Sequence, residues 1–256
     1  MVAMKKSHSS ELPIALVGVM IFSGLISFLT GCSREKADIR IMAAASLSDV
    51  FLEISEAFEA ETGLSTSLYT AGSATLATQI TEGAEANVIA LANEQTMNRI
   101  VDSGHVETEF QIQIFASNHL ALVTPLQNPG SITSFSDIQG KKLAVCSQVV
   151  PCGALSYAFA EQEDIRLDPV SMEPNVRSVR TKVELGEVDA GLIYISDVTS
   201  KMKVIDIPEL KDLKTMYPIA VLRPAELTAK KFMDFVLSQS GQAILNNHGF
   251  GKSYEN

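Results

Sequence analysis

The chain has 256 residues, enough for two packed domains of roughly 100 residues each. Its composition is globular, 46% hydrophobic and 20% charged, with no Trp, no low-complexity run and no heptad pattern. A formal net charge of −10, with no stretch dense in Lys and Arg, argues against a nucleic-acid binder, which needs a basic patch.

The N-terminal segment reads as an export signal. Lys5 and Lys6 open it, residues 12–29 are almost wholly apolar, and Leu29-Thr30-Gly31-Cys32 closes it. A basic start, an apolar core and small residues before the cut are the marks of a cleaved leader. The L-T-G-C ending has the form of a lipobox. Residues 1–31 are then a lipoprotein signal peptide, and Cys32 is the lipidated first residue of the mature chain. The alternative is an uncleaved membrane helix, because the apolar run approaches bilayer-spanning length. Residues 32–38 read as a tether below a lipid anchor that holds the domain at the membrane surface. Of three cysteines, Cys146 and Cys152 remain. An even remainder in an exported chain is compatible with a disulfide, but the sequence does not say whether the geometry permits one.

Beyond the tether, strand-like and helix-like segments alternate, the signature of an α/β fold. Residues 39–43 read as a strand. Residues 47–61 read as a helix, with Leu47, Val50, Phe51, Ile54, Ala57 and Phe58 on one face and Gly63 as its stop. A strand at 64–70 and a helix at 75–82 follow, again stopped by a glycine, Gly83. A buried strand at 87–91 leads to a helix at 94–102 that ends before Gly104. Residues 115–124 form a long apolar strand and 125–134 a loop. Then come a strand at 142–146, helices at 153–163 and 176–185, strands at 190–195 and 219–222, and a final helix at 229–246. This order suggests two lobes: residues 39–117 with about 219–256 in the first, about 118–218 in the second. Two chain crossings make a hinge, and a cleft between hinged lobes is a usual ligand site.

Two junctions share one design. Ala43-Ala44-Ala45-Ser46 joins the first strand to the first helix, and Ala71-Gly72-Ser73-Ala74 joins the second strand to the second helix. Serine is a common N-cap, and Ser46 with Asp49 has capping-box spacing. Plain capping explains one such junction. Two in succession, both stripped of large side chains, suggest more. Small residues let a ligand approach the backbone, and a helix start offers free N–H groups and partial positive charge, so an anion can be held without Lys or Arg. Val150-Pro151-Cys152-Gly153 also opens a helix, and reads equally as an ordinary turn or a reactive thiol. Pro174-Asn175-Val176-Arg177 opens another, with Asn175 as its cap. Tyr194, in Gly191-Leu192-Ile193-Tyr194-Ile195-Ser196-Asp197, ends a buried strand, where tyrosine more commonly serves the core.

Taken in order, A-A-A-S-L at 43–47, G-S-x-x-L-x-x-Q-I at 72–80 with its trailing Gly83, V-P-C-G at 150–153, N-V-R at 175–177 and G-L-I-Y-x-S-D at 191–197 resemble the molybdate-binding proteins of bacterial ABC importers. The resemblance runs from about residue 39 to the C-terminus. It implies a two-lobed periplasmic-binding fold (type II), each lobe a mixed sheet flanked by helices. It implies a molybdate or tungstate ligand held by Ser46 and Ser73 through hydroxyl and backbone N–H, by Cys152 and Val176 through backbone N–H, and by the Tyr194 hydroxyl. It also implies a monomer that delivers its ligand to a membrane permease with a cytoplasmic ATPase behind it, and no cofactor. Two positions depart from the family pattern. Asn87 stands where an Asp is usual, and Ala74 follows Ser73.

A donor-only site suits an oxyanion that carries no proton, such as molybdate, tungstate or sulfate, over phosphate. A sulfate binder is therefore the nearest alternative. An enzyme lacks support: there is no G-x-S-x-G, H-E-x-x-H or P-loop, and His8, His105, His119 and His248 are scattered. A thiol-dependent enzyme or redox module would rest on Cys146 and Cys152, whose spacing is not C-x-x-C.

Overall fold

The computed structural model describes residues 37–253. The signal peptide at 1–31, the lipidation site Cys32 and most of the 32–38 tether lie outside the described residues. Among the described residues, no helix is long and apolar enough to cross a membrane.

Among the described residues nine strands form the framework: β1 (Ile39–Ala44), β2 (Thr66–Ala71), β3 (Val88–Ala90), β4 (Gln113–Pro125), β5 (Leu143–Cys146), β6 (Ser171–Glu173), β7 (Ala190–Tyr194), β8 (Met202–Ile205) and β9 (Lys214–Val221). Their order is β2-β1-β3-β9-β4-β7-β5-β6, with β8 pairing β4 off this path. β1 runs parallel to β2 and β3, and β5 parallel to β6 and β7. Such parallel neighbours need crossover helices, here α1 (Ser48–Thr62), α2 (Ser73–Thr81), α4 (Pro151–Gln162) and α5 (Val176–Glu184). The remaining helices are α3 (Glu94–Asp102), α6 (Pro208–Asp212), α7 (Leu227–Leu237) and α8 (Gln239–Asn247).

β4 changes partners along its length. From Gln113 to His119 it pairs antiparallel with β9, and from Leu120 onward it pairs with β7 and β8. The apolar face of α1 packs as its periodicity predicts: Val50, Phe51, Ile54 and Phe58 are buried. Phe51 and Phe58 meet Phe232 of α7 edge-on, at ring separations of 6.1 and 5.2 Å. Phe135 meets Phe159 of α4 edge-on, at a ring separation of 4.7 Å.

Two predicted elements need correction, and three short elements, β6, β8 and α6, fall where none was predicted. β6 was not foreseen: it is a three-residue edge strand, parallel to β5, with Met172 65% exposed and no apolar run to announce it. β8 was missed for the same reason, since Lys203 and Val204 face outward. β9 begins at Lys214, not at 219, because Pro218 reads as an interruption. In the sheet Pro218 lies opposite Ile114, where the register with β4 shifts between Ile114 and Ala116, so its missing N–H falls at an irregularity. The final helix is two helices. Ser238 is extended (ψ 167°) and its hydroxyl accepts from the Gly241 N–H, starting α8 afresh. A Cβ on Gly241 would sit 2.3 Å from the Phe235 carbonyl oxygen, so only glycine lets the two helices join this tightly.

Candidate functional site

All five residues singled out in the sequence line one small cavity of about 20 Å³, together with Ala44, Ala45, Gly72, Ala92, Val150, Pro151 and Asn175. The lining has no Lys, Arg, Asp or Glu. It is built from chain turns at the C-terminal ends of parallel strands, where helix starts converge.

The serines occupy this cavity in a different local setting from the one their spacing predicts. Ser46 is not an N-cap. It sits in a 3-10 turn, Ala45–Leu47, that precedes α1, and Leu47 caps α1 without a side-chain bond. The expected capping box with Asp49 is therefore not made, because the extra turn moves Ser46 off the helix end. Ser73 is the first residue of α2, and Gly72 is the cap. Freed from capping, both hydroxyls have other partners. The Ser73 oxygen accepts from the Ala92 backbone N–H at 3.1 Å, and Ser46 Oγ lies 3.0 Å from the Tyr217 hydroxyl. Both serines are buried.

α4 starts at Pro151, two residues earlier than predicted, and Pro suits a first helical turn because no N–H is lost there. Cys152 is thereby in the first turn, whose N–H groups have no intrahelical acceptor. Cys146 at the end of β5 and Cys152 are joined by a disulfide, with Cα atoms 5.7 Å apart. It ties the start of α4 to the strand beneath. Asn175 caps α5, its Oδ1 accepting from the Ser178 N–H at 3.0 Å, and Val176 follows as the first helical residue. Tyr194 ends β7, is 1% exposed, and its hydroxyl has no hydrogen-bond partner among the described residues. A buried, unpaired O–H is costly unless something in the cavity accepts it. Burial pushes both Tyr194 and Tyr217 upward from the usual phenol range, so both stay protonated donors.

The charges nearest the site neutralise each other outside the lining. Arg177 Nη1 lies 2.8 Å from Asp49 Oδ2 on α1, and Arg177 Nε lies 2.7 Å from Asp197 Oδ1. The second contact does not meet the geometry of a hydrogen bond. Asp197 is 1% exposed. Burial pushes its carboxyl up to about 7 from 3.8, against the opposing pull of Arg177 and Arg180. Between those two values the native state keeps the proton and the unfolded chain does not. Stability contributed by this group therefore falls as pH rises from about 4 to about 7, and is level above that. Asp197→Asn is expected to flatten this dependence. Thermal melts of both proteins between pH 5 and 8 check it, and parallel curves would refute the assignment.

Asn87, the departure noted above, does not line the cavity. Its Oδ1 accepts from the Arg40 backbone N–H at 2.8 Å and so ties β1 to the start of β3. Tyr217 and the pairing of Arg177 with its two carboxylate partners are features that sequence reasoning missed, whereas Gly72 lies in a junction it had marked. Tyr217 is 171 positions from Ser46, beyond the reach of any local pattern. Among the described residues, no group of three or more His, Cys, Asp or Glu side chains could hold a metal ion. The arrangement can hold a small anion through neutral donors and offers it no fixed acceptor side chain.

The model of the bacterial extracellular solute-binding proteins matches residues 39–251. The chain is 35% identical to the molybdate-binding protein ModA of Mycobacterium tuberculosis, covering 94% of this chain and 98% of that one. Among solved structures it resembles the periplasmic molybdate-binding protein of Azotobacter vinelandii, with a TM-score of 0.68, 15% identity, and coverage of 83% of this chain and 98% of that chain. It also resembles the sulfate-binding protein SubI of Mycobacterium tuberculosis, with a TM-score of 0.70, 18% identity, and coverage of 83% and 85%.

Proposed function

Because the chain belongs to the bacterial extracellular solute-binding proteins, we propose that its cavity binds molybdate, and tungstate with it, for delivery to an ABC importer. The family binds solutes and is not one of enzymes. The reading rests above all on one observation: the cavity gathers two serine hydroxyls, an unpartnered tyrosine hydroxyl and three helix starts, and no charged side chain. A fully deprotonated oxyanion accepts hydrogen bonds on every oxygen and needs such a set. Charge-assisted bonds of this kind are the strong ones. In our reading Ser46 and Ser73 give hydroxyl and backbone N–H, Cys152 and Val176 give backbone N–H, and Tyr194 gives its phenol proton. The likeness to ModA over nearly all of both chains supports molybdate as the ligand.

We assign the ligand to the junction of two lobes. One carries β1, β2, β3 and β9, the other β5, β6, β7 and β8, and β4 passes between them where it exchanges β9 for β7. Ser46 and Ser73 then belong to the first lobe, and Cys152, Val176 and Tyr194 to the second. Ligand contacts from both sides favour the closed form by their differential binding. The working unit in this proposal is a monomer, tethered to the cell membrane through lipidated Cys32 and handing its ligand to a permease subunit backed by a cytoplasmic ATPase.

Calorimetry on the domain that follows Cys32 tests the ligand. Molybdate and tungstate are expected to bind tightly and competitively, and sulfate to displace them only at much higher concentration. Sulfate competing at equal concentration would reassign the chain to sulfate, since both ions carry no proton and differ in size.

A further inference from the structure

A serine hydroxyl beside an anion can donate or accept. Ser73 has no choice. Its oxygen takes the Ala92 backbone N–H, which can only donate, so the Ser73 proton is left for the cavity. Ser46 is paired instead with Tyr217, and either oxygen could be the donor in that 3.0 Å contact. The surroundings of Tyr217 decide the direction. Among the described residues Ser46 Oγ is the one hydrogen-bond partner of the Tyr217 hydroxyl, which is fully buried. The polar side chain of Asn118 on β4 is engaged elsewhere: its Oδ1 accepts from the His119 N–H at 3.0 Å and its Nδ2 donates to Ser196 Oγ at 2.8 Å. If Ser46 donated to Tyr217, the phenol proton would be buried without an acceptor, which is costly. The Tyr217 proton therefore points to Ser46 Oγ, and the Ser46 proton is left for the cavity.

We propose that Tyr217 is a specificity-determining residue: the buried relay from Tyr217 to Ser46 fixes Ser46 as a donor and so excludes oxyanions that carry a proton. The proposal deepens the oxyanion reading above and rests on it. Tyr217 is a positioning residue, since it does not line the cavity and acts through Ser46. Chains of hydrogen bonds polarise one another in a buried setting, which strengthens the last donor in the row. Without the relay Ser46 can turn its proton toward the protein and present a lone pair to the ligand. An ion with a proton of its own, such as inorganic phosphate near neutral pH, then finds an acceptor.

The test is Tyr217→Phe, which keeps the ring against Phe115, Tyr194 and Phe250. Binding of molybdate, sulfate and inorganic phosphate is measured at pH 7 on the variant and the wild type, with a thermal melt to establish that the variant is folded. Loss of one hydrogen bond to a charged group is expected to weaken molybdate and sulfate about tenfold or more. Phosphate is expected to bind no worse, so the sulfate-to-phosphate preference narrows by about tenfold. Sulfate and phosphate are close in size, so a merely loosened cavity would weaken both alike. If Tyr217→Phe does not fold, the wild type carries the test: it is expected to bind sulfate far more tightly than inorganic phosphate, and equal affinity for the two would overturn the relay. Equal loss for sulfate and phosphate, or an unchanged preference, overturns the relay while leaving molybdate binding intact. A wild-type chain that binds none of the three ions overturns the oxyanion reading itself.

Discussion

Replacing Ser46 and Ser73 together by Ala is expected to abolish tight molybdate binding. Each substitution removes one hydroxyl donor to a charged ligand, worth about 1.5–3 kcal/mol. That is about 10- to 150-fold per site at 1.4 kcal/mol for each tenfold. Both serines are proposed to contact the same ion, so their effects need not add, but the double variant should lose at least about a hundredfold. The two single variants also carry a cost in the ligand-free protein. Ser73→Ala leaves the Ala92 N–H without its acceptor, and Ser46→Ala leaves the Tyr217 hydroxyl without its own. A buried group so orphaned costs about 1–3 kcal/mol. Calorimetric titration with molybdate should therefore be accompanied by ligand-free thermal melts. Retained affinity in a folded double variant would remove Ser46 and Ser73 from the site.

That prediction uses positions that local sequence could flag, and the reason they were legible is instructive. Each lies at a strand-to-helix junction with small neighbours, a pattern contained in four residues. The structure gathers all five flagged residues around one cavity, but their roles differ from what spacing implied. Ser46 and Ser73 do not cap helices, because a 3-10 turn displaces the first and Gly72 takes the cap position of the second. Periodicity located the long helices and the central strands, where burial imposes a pattern. It did not find β6 or β8, whose exposed side chains carry no pattern, nor the start of β9, which Pro218 disguised. The break at Ser238 falls in a short polar stretch, Ser238-Gln239-Ser240-Gly241-Gln242, which the reading of one continuous helix passed over. What no local reading could supply was pairing at a distance: Tyr217 with Ser46, and Arg177 with both Asp49 and Asp197. These depend on how β9 and α5 are brought against the first helix, which is a property of the whole fold.

Gly72→Ala is expected to weaken ligand binding strongly while leaving the ligand-free protein nearly as stable as before. Gly72 has φ −60° and ψ 139°, a conformation any residue adopts, so alanine brings no backbone strain. As an N-cap it has no side-chain bond to lose, and Gly-to-Ala there costs a fraction of a kcal/mol to about 1 kcal/mol. The conflict lies across the cavity. A Cβ on Gly72 would stand 2.4 Å from the Pro174 carbonyl oxygen and 3.5 Å from the Asn175 Cβ, just ahead of α5. The neighbour is backbone and cannot swing aside, so the two walls must part. Overpacking of this kind costs about 1–3 kcal/mol. If the walls belong to two lobes that separate without ligand, that cost falls only on the closed form, and affinity drops about 5- to 150-fold. Molybdate titration combined with small-angle scattering checks both halves of the argument: the variant should bind more weakly and stay expanded at molybdate concentrations that compact the wild type. A variant that binds as tightly as wild type and compacts equally would show that Gly72 and Pro174 do not have to meet for the cavity to hold its ion, and the closed-cleft account of this site would fail with it.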